Sequence, residues 1–232
     1  MQVADRGSHT CNNCKSSNRF RSIIAALQER LFGNISPLSE WQIRKEIAGL
    51  GMTDSPVYSK LLREKFNYIN TFFHTDPYLD ITDPDPHFLS RFDFVISSDV
   101  LEHVCPPIKV AFKNLRSLLR PSGLLVLTVP FGRDGDTVEH FPDLYQFEIV
   151  GSGNERQLVN ISRTGEKQTF HNLVFHGGEG TTLEMRVFTE SGVLKYLRDS
   201  GFHKIQIHTR WLPQWGIVHS QPFSLPITAI AL

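Results

Sequence analysis

The sequence predicts an α/β fold built on a mostly parallel sheet, and three observations carry that prediction. Two short apolar runs, FDFVISS (Phe92 to Ser98) and LLVLTV (Leu124 to Val129), have the composition of strands covered on both faces. Between them, Pro107 to Leu119 places Ile108, Ala111, Phe112, Leu115, Leu118 and Leu119 in helical register. Upstream of both, strand and helix signals alternate, which implies parallel pairing through right-handed crossovers. In such sheets ligands bind beyond the carboxyl ends of the strands, where the strand order reverses.

The elements follow in order. Ser22 to Leu31 reads as a short amphipathic helix with Ile23, Ile24, Leu27 and Leu31 on one face. Ile43 to Leu50 is a strand running into Gly49-Leu50-Gly51. Pro56 to Phe66 is a helix, since proline suits a first turn and Tyr58, Leu61, Leu62 and Phe66 share a face. Tyr68 to Phe73 is a strand ending at His74, and Tyr78 to Thr82 a short one stopped by Asp83-Pro84-Asp85-Pro86. Arg120-Pro121-Ser122-Gly123 ends the helix that precedes LLVLTV. After Pro130 the pattern changes to glycines, polar residues and turns. Leu158 to Ile161, Phe170 to Phe175 and Leu183 to Phe188 read as antiparallel strands, with turns at Thr164-Gly165 and Gly177-Gly178. The α/β pattern resumes with a helix over Ser191 to Ser200, capped by Gly201, and strands over Phe202 to Thr209 and Ile227 to Leu232. The expected organisation is an N-terminal arm (1–40), a binding core (41–130), an inserted β-rich lid (131–185) and a segment that completes the core (186–232).

Composition narrows the function classes. The 232 residues carry 24 basic and 24 acidic side chains, so nothing suggests a footprint for a phosphate backbone, and no nucleic-acid partner is expected. Three cysteines argue against a disulfide framework and fit a reducing compartment. No apolar stretch approaches the roughly 18 residues that a membrane span needs. The polar N-terminus (MQVADRGSHT) does not read as a secretory signal, so a cytoplasmic protein with no membrane partner is expected. Cys11-x-x-Cys14 is half of a zinc knuckle without two further ligands nearby, and no metal is expected. Oligomeric state is not readable.

The run FDFVISSDVLEHV (Phe92 to Val104), with AFKNLRSLLRPSGLLVLTVPF (Ala111 to Phe131) after it, resembles the fourth strand, next helix and fifth strand of class I S-adenosylmethionine-dependent methyltransferases. MRVFTESGVLKYLRDSGF (Met185 to Phe202) is similar to their late helix, and CNNCKSSNRFR to a Cys-x-x-Cys plus Arg-x-Arg segment that precedes some members. The resemblance implies a Rossmann-like, seven-stranded, mostly parallel sheet with helices on both faces and the last strand antiparallel. It also implies S-adenosylmethionine as cofactor and methyl transfer to a nucleophile, with the acceptor left open.

On that resemblance, Gly49-Leu50-Gly51-Met52-Thr53-Asp54 occupies the place of the glycine-rich cofactor loop, where glycines let backbone approach a ligand. Two departures stand out: Ile47 where the family usually has an acid, and no third glycine. The cofactor ribose calls for an acid about 20 residues further on, which makes Asp76 the candidate and His74 its substitute. Asp80 and Ile81 fall in the adenine region, and Ser98, Asp99, Val100 and Leu101 would line the methionine and methyl-donor region. Glu102 and His103 follow and would reach the acceptor. His140, in the loop after the fifth strand, is a candidate general base for a hydroxyl, as is His103. The expected activity is methyl transfer to a small-molecule or sugar acceptor at oxygen. The departures at Ile47 and in the glycine segment favour the alternative, a non-catalytic binding module on the same fold.

Overall fold

In the computed structural model of this chain, residues 10–132, 135–176, 182–219 and 224–232 are described. Ser17 accepts a hydrogen bond from the Phe20 N–H and so caps the first helix, α1 (Asn18–Phe32). Strand β1 (Arg44–Met52) follows, then α2 (Pro56–Lys65), capped by Ser55 with proline in its first turn. Next come β2 (Phe66–Thr71), β3 (Phe92–Ser98), α3 (Lys109–Leu118) and β4 (Leu119–Thr128). The intervening segment holds β5 (Phe131–Gly132), β6 (Val138–Glu139), β7 (Gln146–Val150), β8 (Gln157–Ile161) and β9 (Lys167–Phe170). It leads into β10 (Arg186–Thr189), α4 (Glu190–Asp199), β11 (Phe202–Ile207) and β12 (Ile227–Ala231).

The central sheet runs β11-β12-β4-β3-β1-β2. β2, β1, β3 and β4 pair in parallel, and β12 lies antiparallel between β4 and β11. Alternation of side chains along each strand divides the core into two layers. Phe94, Ile96, Leu124 and Val126 face α1 and α2, packing on Ile23, Leu27, Tyr58 and Leu62. Val95, Leu125 and Leu127 face the other way, against Phe112 and Leu115 of α3 and Val193 and Leu197 of α4. This double covering is what the apolar runs predict, and the antiparallel last strand is as expected. No described helix is long and apolar enough to cross a membrane.

Three expectations are corrected. The sheet has six strands rather than seven, because Tyr78 to Thr82 does not pair as a strand. A single parallel bridge joins Tyr78 to Phe72, and the chain then turns, with Thr82 N–H and Oγ1 both donating to Asp80 Oδ1 at 2.8 and 2.7 Å. The ladder stops there because Asp80 closes a turn on Thr82 instead of extending the strand. Second, Gly49 and Gly51 lie inside β1 instead of in a loop, register partners of Phe94 and Ile96. A Cβ on Gly49 would overlap the Phe94 ring, and one on Gly51 the Tyr68 hydroxyl and the Asp54 carboxylate. Third, the insertion is wired differently. β7-β8-β9 form one antiparallel sheet, while β10 joins β5 and β6 in another, so only part of Leu183 to Phe188 is strand. The strand expected over Phe170 to Phe175 ends at Phe170, and beyond it only Phe175 pairs, through a single antiparallel bridge to Leu183. The turn at Thr164-Gly165 is present, with the Gly165 N–H on the Ser162 carbonyl at 2.9 Å. The one at Gly177-Gly178 lies outside the described residues.

Candidate active site

The carboxyl ends of β1 and β3 are side by side, since Gly51 pairs with Ile96 and Met52 with Ser97. Beyond β1 the chain buries Asp54, 3% exposed. The Tyr58 hydroxyl of α2 donates to Asp54 Oδ1 at 2.6 Å, and the Tyr68 hydroxyl of β2 donates to Oδ2. Asn70 holds the Asp54 backbone from both sides at 2.9 Å. Burial pushes the Asp54 carboxyl up to about 7, against the pull of the two tyrosine hydroxyls and of the Arg19 charge. The side chain expected in a cofactor loop is thus engaged in a buried network that closes the end of β1.

This network predicts a pH effect. The folded value lies above the ordinary carboxylate value, so the folded state holds the proton more tightly. The associated stability is complete below about pH 4 and is lost as pH rises through about 7, on the order of 4 kcal/mol in all. Asp54→Asn stays neutral and removes that loss, at the cost of one weakened tyrosine hydrogen bond, about 2 kcal/mol. Urea unfolding should show the variant about 2 kcal/mol more stable than wild type at pH 8 and no more stable at pH 4.

At the end of β3, Asp99 takes a left-handed conformation (φ 50°). Its N–H donates to the Thr128 carbonyl, and Thr128 Oγ1 donates back to Asp99 Oδ1, both at 2.9 Å. Its other oxygen is ion-paired with Arg19 from the first turn of α1. Ser98 is half-buried beside Thr128 Oγ1, at 3.1 Å, and Val100 is half-buried, whereas Met52 and Leu101 are packed into the core. His74 and Asp76 stand exposed on the turn after β2, the neighbour of β1. Ile81 is buried, and Asp80 is committed to its own turn.

His103 and His140, far apart in sequence, meet in one cluster. His103 Nδ1 lies 3.0 Å from the Leu183 carbonyl, and its ring stacks edge-on against His176 at 5.4 Å. Glu184 receives His140 Nε2 at 3.0 Å on one oxygen and His176 Nε2 at 2.5 Å on the other. Backbone bonds fasten the cluster: His140 N–H to the Met185 carbonyl at 2.9 Å and Met185 N–H to the Glu102 carbonyl at 2.8 Å. Burial raises the Glu184 carboxyl, but hydrogen bonds and charge from His176 and His140 outweigh it and leave Glu184 below the usual carboxylate range. Glu102 is buried, its Oε1 3.9 Å from His103 Nε2.

Sequence reasoning missed Arg19, Tyr58, Tyr68 and Glu184 as site residues. Only Arg19 had a signal, the Arg-x-Arg segment; Tyr58 and Tyr68 read as ordinary core positions, and Glu184 is 44 residues from the His140 it holds. Cys11 and Cys14 are free thiols on a tight turn, where the N–H groups of Cys14 and then Asn13 lower the Cys11 thiol. Among the described residues no group of three His, Cys, Asp or Glu is placed to hold a metal ion.

A sequence family described as a methyltransferase domain matches residues 38–207. No curated protein matches the chain significantly. Among solved structures, an amino pentose methyltransferase from Micromonospora echinaspora, with S-adenosylmethionine bound, is 13% identical over 94% of this chain and 92% of its own, TM-score 0.51. The CurJ carbon methyltransferase is 16% identical over 91% of this chain and 54% of its own, TM-score 0.51, so this chain spans about half its length. A third, the 1,6-didemethyltoxoflavin N1-methyltransferase of Burkholderia thailandensis with S-adenosylhomocysteine, is 15% identical over 90% and 78%, TM-score 0.49. At these identities the first two likenesses establish the fold alone.

Proposed function

This chain belongs to the methyltransferase domain family, and on that premise we propose that it uses S-adenosylmethionine to methylate a small-molecule or sugar acceptor at oxygen. The donor set at the strand tips fits this cofactor: Asp99 and Arg19 offer opposite charges to its amino-acid end, and exposed His74 and Asp76 offer acceptors to ribose hydroxyls. When bound, S-adenosylmethionine supplies a methyl group on a good leaving group, the sulfonium. The protein then has to orient the acceptor in line and exclude water, and proximity supplies most of the rate.

The observation that carries the oxygen reading is the Glu184-bridged histidine pair. It packs against His103, four residues past Asp99, and this nearness in the chain to the strand tip is what supports a role in taking the acceptor's proton. An ionised carboxylate only accepts, so His140 and His176 each donate Nε2–H to Glu184 and keep Nδ1 as the basic nitrogen. His140 Nδ1 is our candidate general base, and His103 the second. Residues 131–185 act as the lid that chooses the acceptor: they bring His140, His176 and Glu184 against the core. Zero net charge supports a small-molecule partner over a nucleic acid, and free thiols support a cytoplasmic setting.

The buried commitment of Asp54 and the packed glycines of β1 favour a second reading, a binding module without catalysis. Methyl-labelled S-adenosylmethionine offered with a panel of glycosides, alcohols and phenols separates the two. Release of S-adenosylhomocysteine with label on oxygen is the expected result. Binding by calorimetry with no labelled product from any acceptor would leave only the module.

A further inference from the structure

The guanidinium of Arg19 sits at the tip of β3, near enough to the end of β1 for its charge to act there. It is ion-paired with Asp99 at the end of β3, and its charge is felt by Asp54 beyond β1 and by Tyr58. Arg19 belongs to α1, ahead of residues 38–207 that match the family. Its position is not loose. Asn18 and Val218 exchange two hydrogen bonds of 2.9 Å, side chain to backbone in each direction. Arg21 donates to the Gly216 carbonyl at 2.7 Å and to the Ser16 carbonyl at 2.6 Å. The first turn of α1 is therefore fastened to the loop before β12. The Arg19 guanidinium lies 5.4 Å from the Phe20 ring, which packs edge-on against Tyr58 at 5.3 Å.

An α-amino acid carries an ammonium and a carboxylate two bonds apart. A site that holds both must present an acid and a base next to each other, partly shielded from water so that the charges count. The Arg19–Asp99 pair has that form, with side chains 29% and 10% exposed. We propose that Arg19 and Asp99 together receive the zwitterionic end of the methyl donor, Arg19 taking its carboxylate and Asp99 its ammonium. The arm that the family does not cover is then part of the cofactor site. This rests on the donor assigned above, and the ligand converts one ion pair into a ring of four alternating charges.

The test is calorimetry on the full chain with two ligands, S-adenosylhomocysteine and 5′-methylthioadenosine, which lacks the amino-acid end. Arg19→Ala should weaken S-adenosylhomocysteine by about 10- to 100-fold, the worth of a charge-assisted pair, and leave 5′-methylthioadenosine within about twofold. Arg19→Lys, which keeps the charge but loses the fork, should fall between. Retained 5′-methylthioadenosine binding shows that either variant is folded. Equal losses for both ligands, or no loss, would overturn the proposal. So would tighter S-adenosylhomocysteine binding in Arg19→Ala, which would make Arg19 a plug. If the unaltered protein binds neither ligand, the donor assignment itself is refuted, and this proposal with it.

Discussion

Replacing Arg186 by methionine is expected to cost about 3 to 5 kcal/mol of stability, the usual penalty for breaking a buried ion pair from one side. The Arg186 side chain is fully buried and its head joins three parts of the molecule. Nε donates to Glu139 Oε1 of β6 at 2.7 Å, Nη1 donates to the Leu101 carbonyl just past the β3 tip at 2.5 Å, and the guanidinium lies 5.8 Å from the Phe188 ring. Methionine fills the stem's volume but leaves the Glu139 carboxylate without its cation and the Leu101 carbonyl without its donor. For a chain of this length the melting temperature should fall by roughly 10 °C or more. Because the penalty comes mostly from the stranded carboxylate, adding Glu139→Gln should recover part of it, so that the double variant loses less than the sum of the singles. Calorimetric melts of the three variants measure both points. A loss below about 1 kcal/mol for Arg186→Met would show that the insertion is not held to the core through this side chain.

What the sequence revealed and what it hid divide along physical lines. Strands buried on both faces are apolar throughout, and an amphipathic helix between them repeats at a fixed interval, so β3, α3 and the Leu124–Thr128 part of β4 were legible from local pattern, though β4 already begins at Leu119. The strand expected at Tyr78 to Thr82 had the right residues, but after the one bridge at Tyr78 the Asp80 side chain closes a turn on Thr82 and the ladder stops. β7 does alternate, Phe147 and Ile149 with Gln146 and Glu148, but it is five residues long in a stretch of turns and all five are exposed, so burial adds nothing to so short a pattern. The glycines of β1 were read as a loop although they lie in the strand: only the structure shows Phe94 under Gly49 and Tyr68 with Asp54 under Gly51. His103 and His140 were legible as titratable groups near strand ends. Their meeting was not, since it depends on Glu184 and His176 arriving from a hairpin whose path no local pattern fixes.

Glu184→Gln is expected to slow methyl transfer to a hydroxyl acceptor by about 100-fold while leaving donor affinity unchanged, as befits a positioning residue for a general base. The glutamine keeps the shape of the side chain but presents one acceptor and one donor. It can hold one ring as Glu184 does; the other ring must then turn a lone pair toward the amide and surrender the nitrogen that would take the proton. Nitrogen-15 spectra of the histidine rings read this directly and need no acceptor: wild-type His140 and His176 should both appear as Nε2–H tautomers, and the variant should lose one of them. The linkage has a definite sign as well. The Glu184 carboxyl lies below its ordinary value when folded, so its contribution to stability is present above the ordinary carboxylate range and disappears as pH falls through the folded value, in acid rather than near neutrality. A phenol acceptor that arrives already ionised needs no base and should be methylated by the variant at close to the wild-type rate. Equal slowing on phenolate and alcohol, or unchanged ring tautomers, would mean that Glu184 serves the packing of the insertion and not the proton.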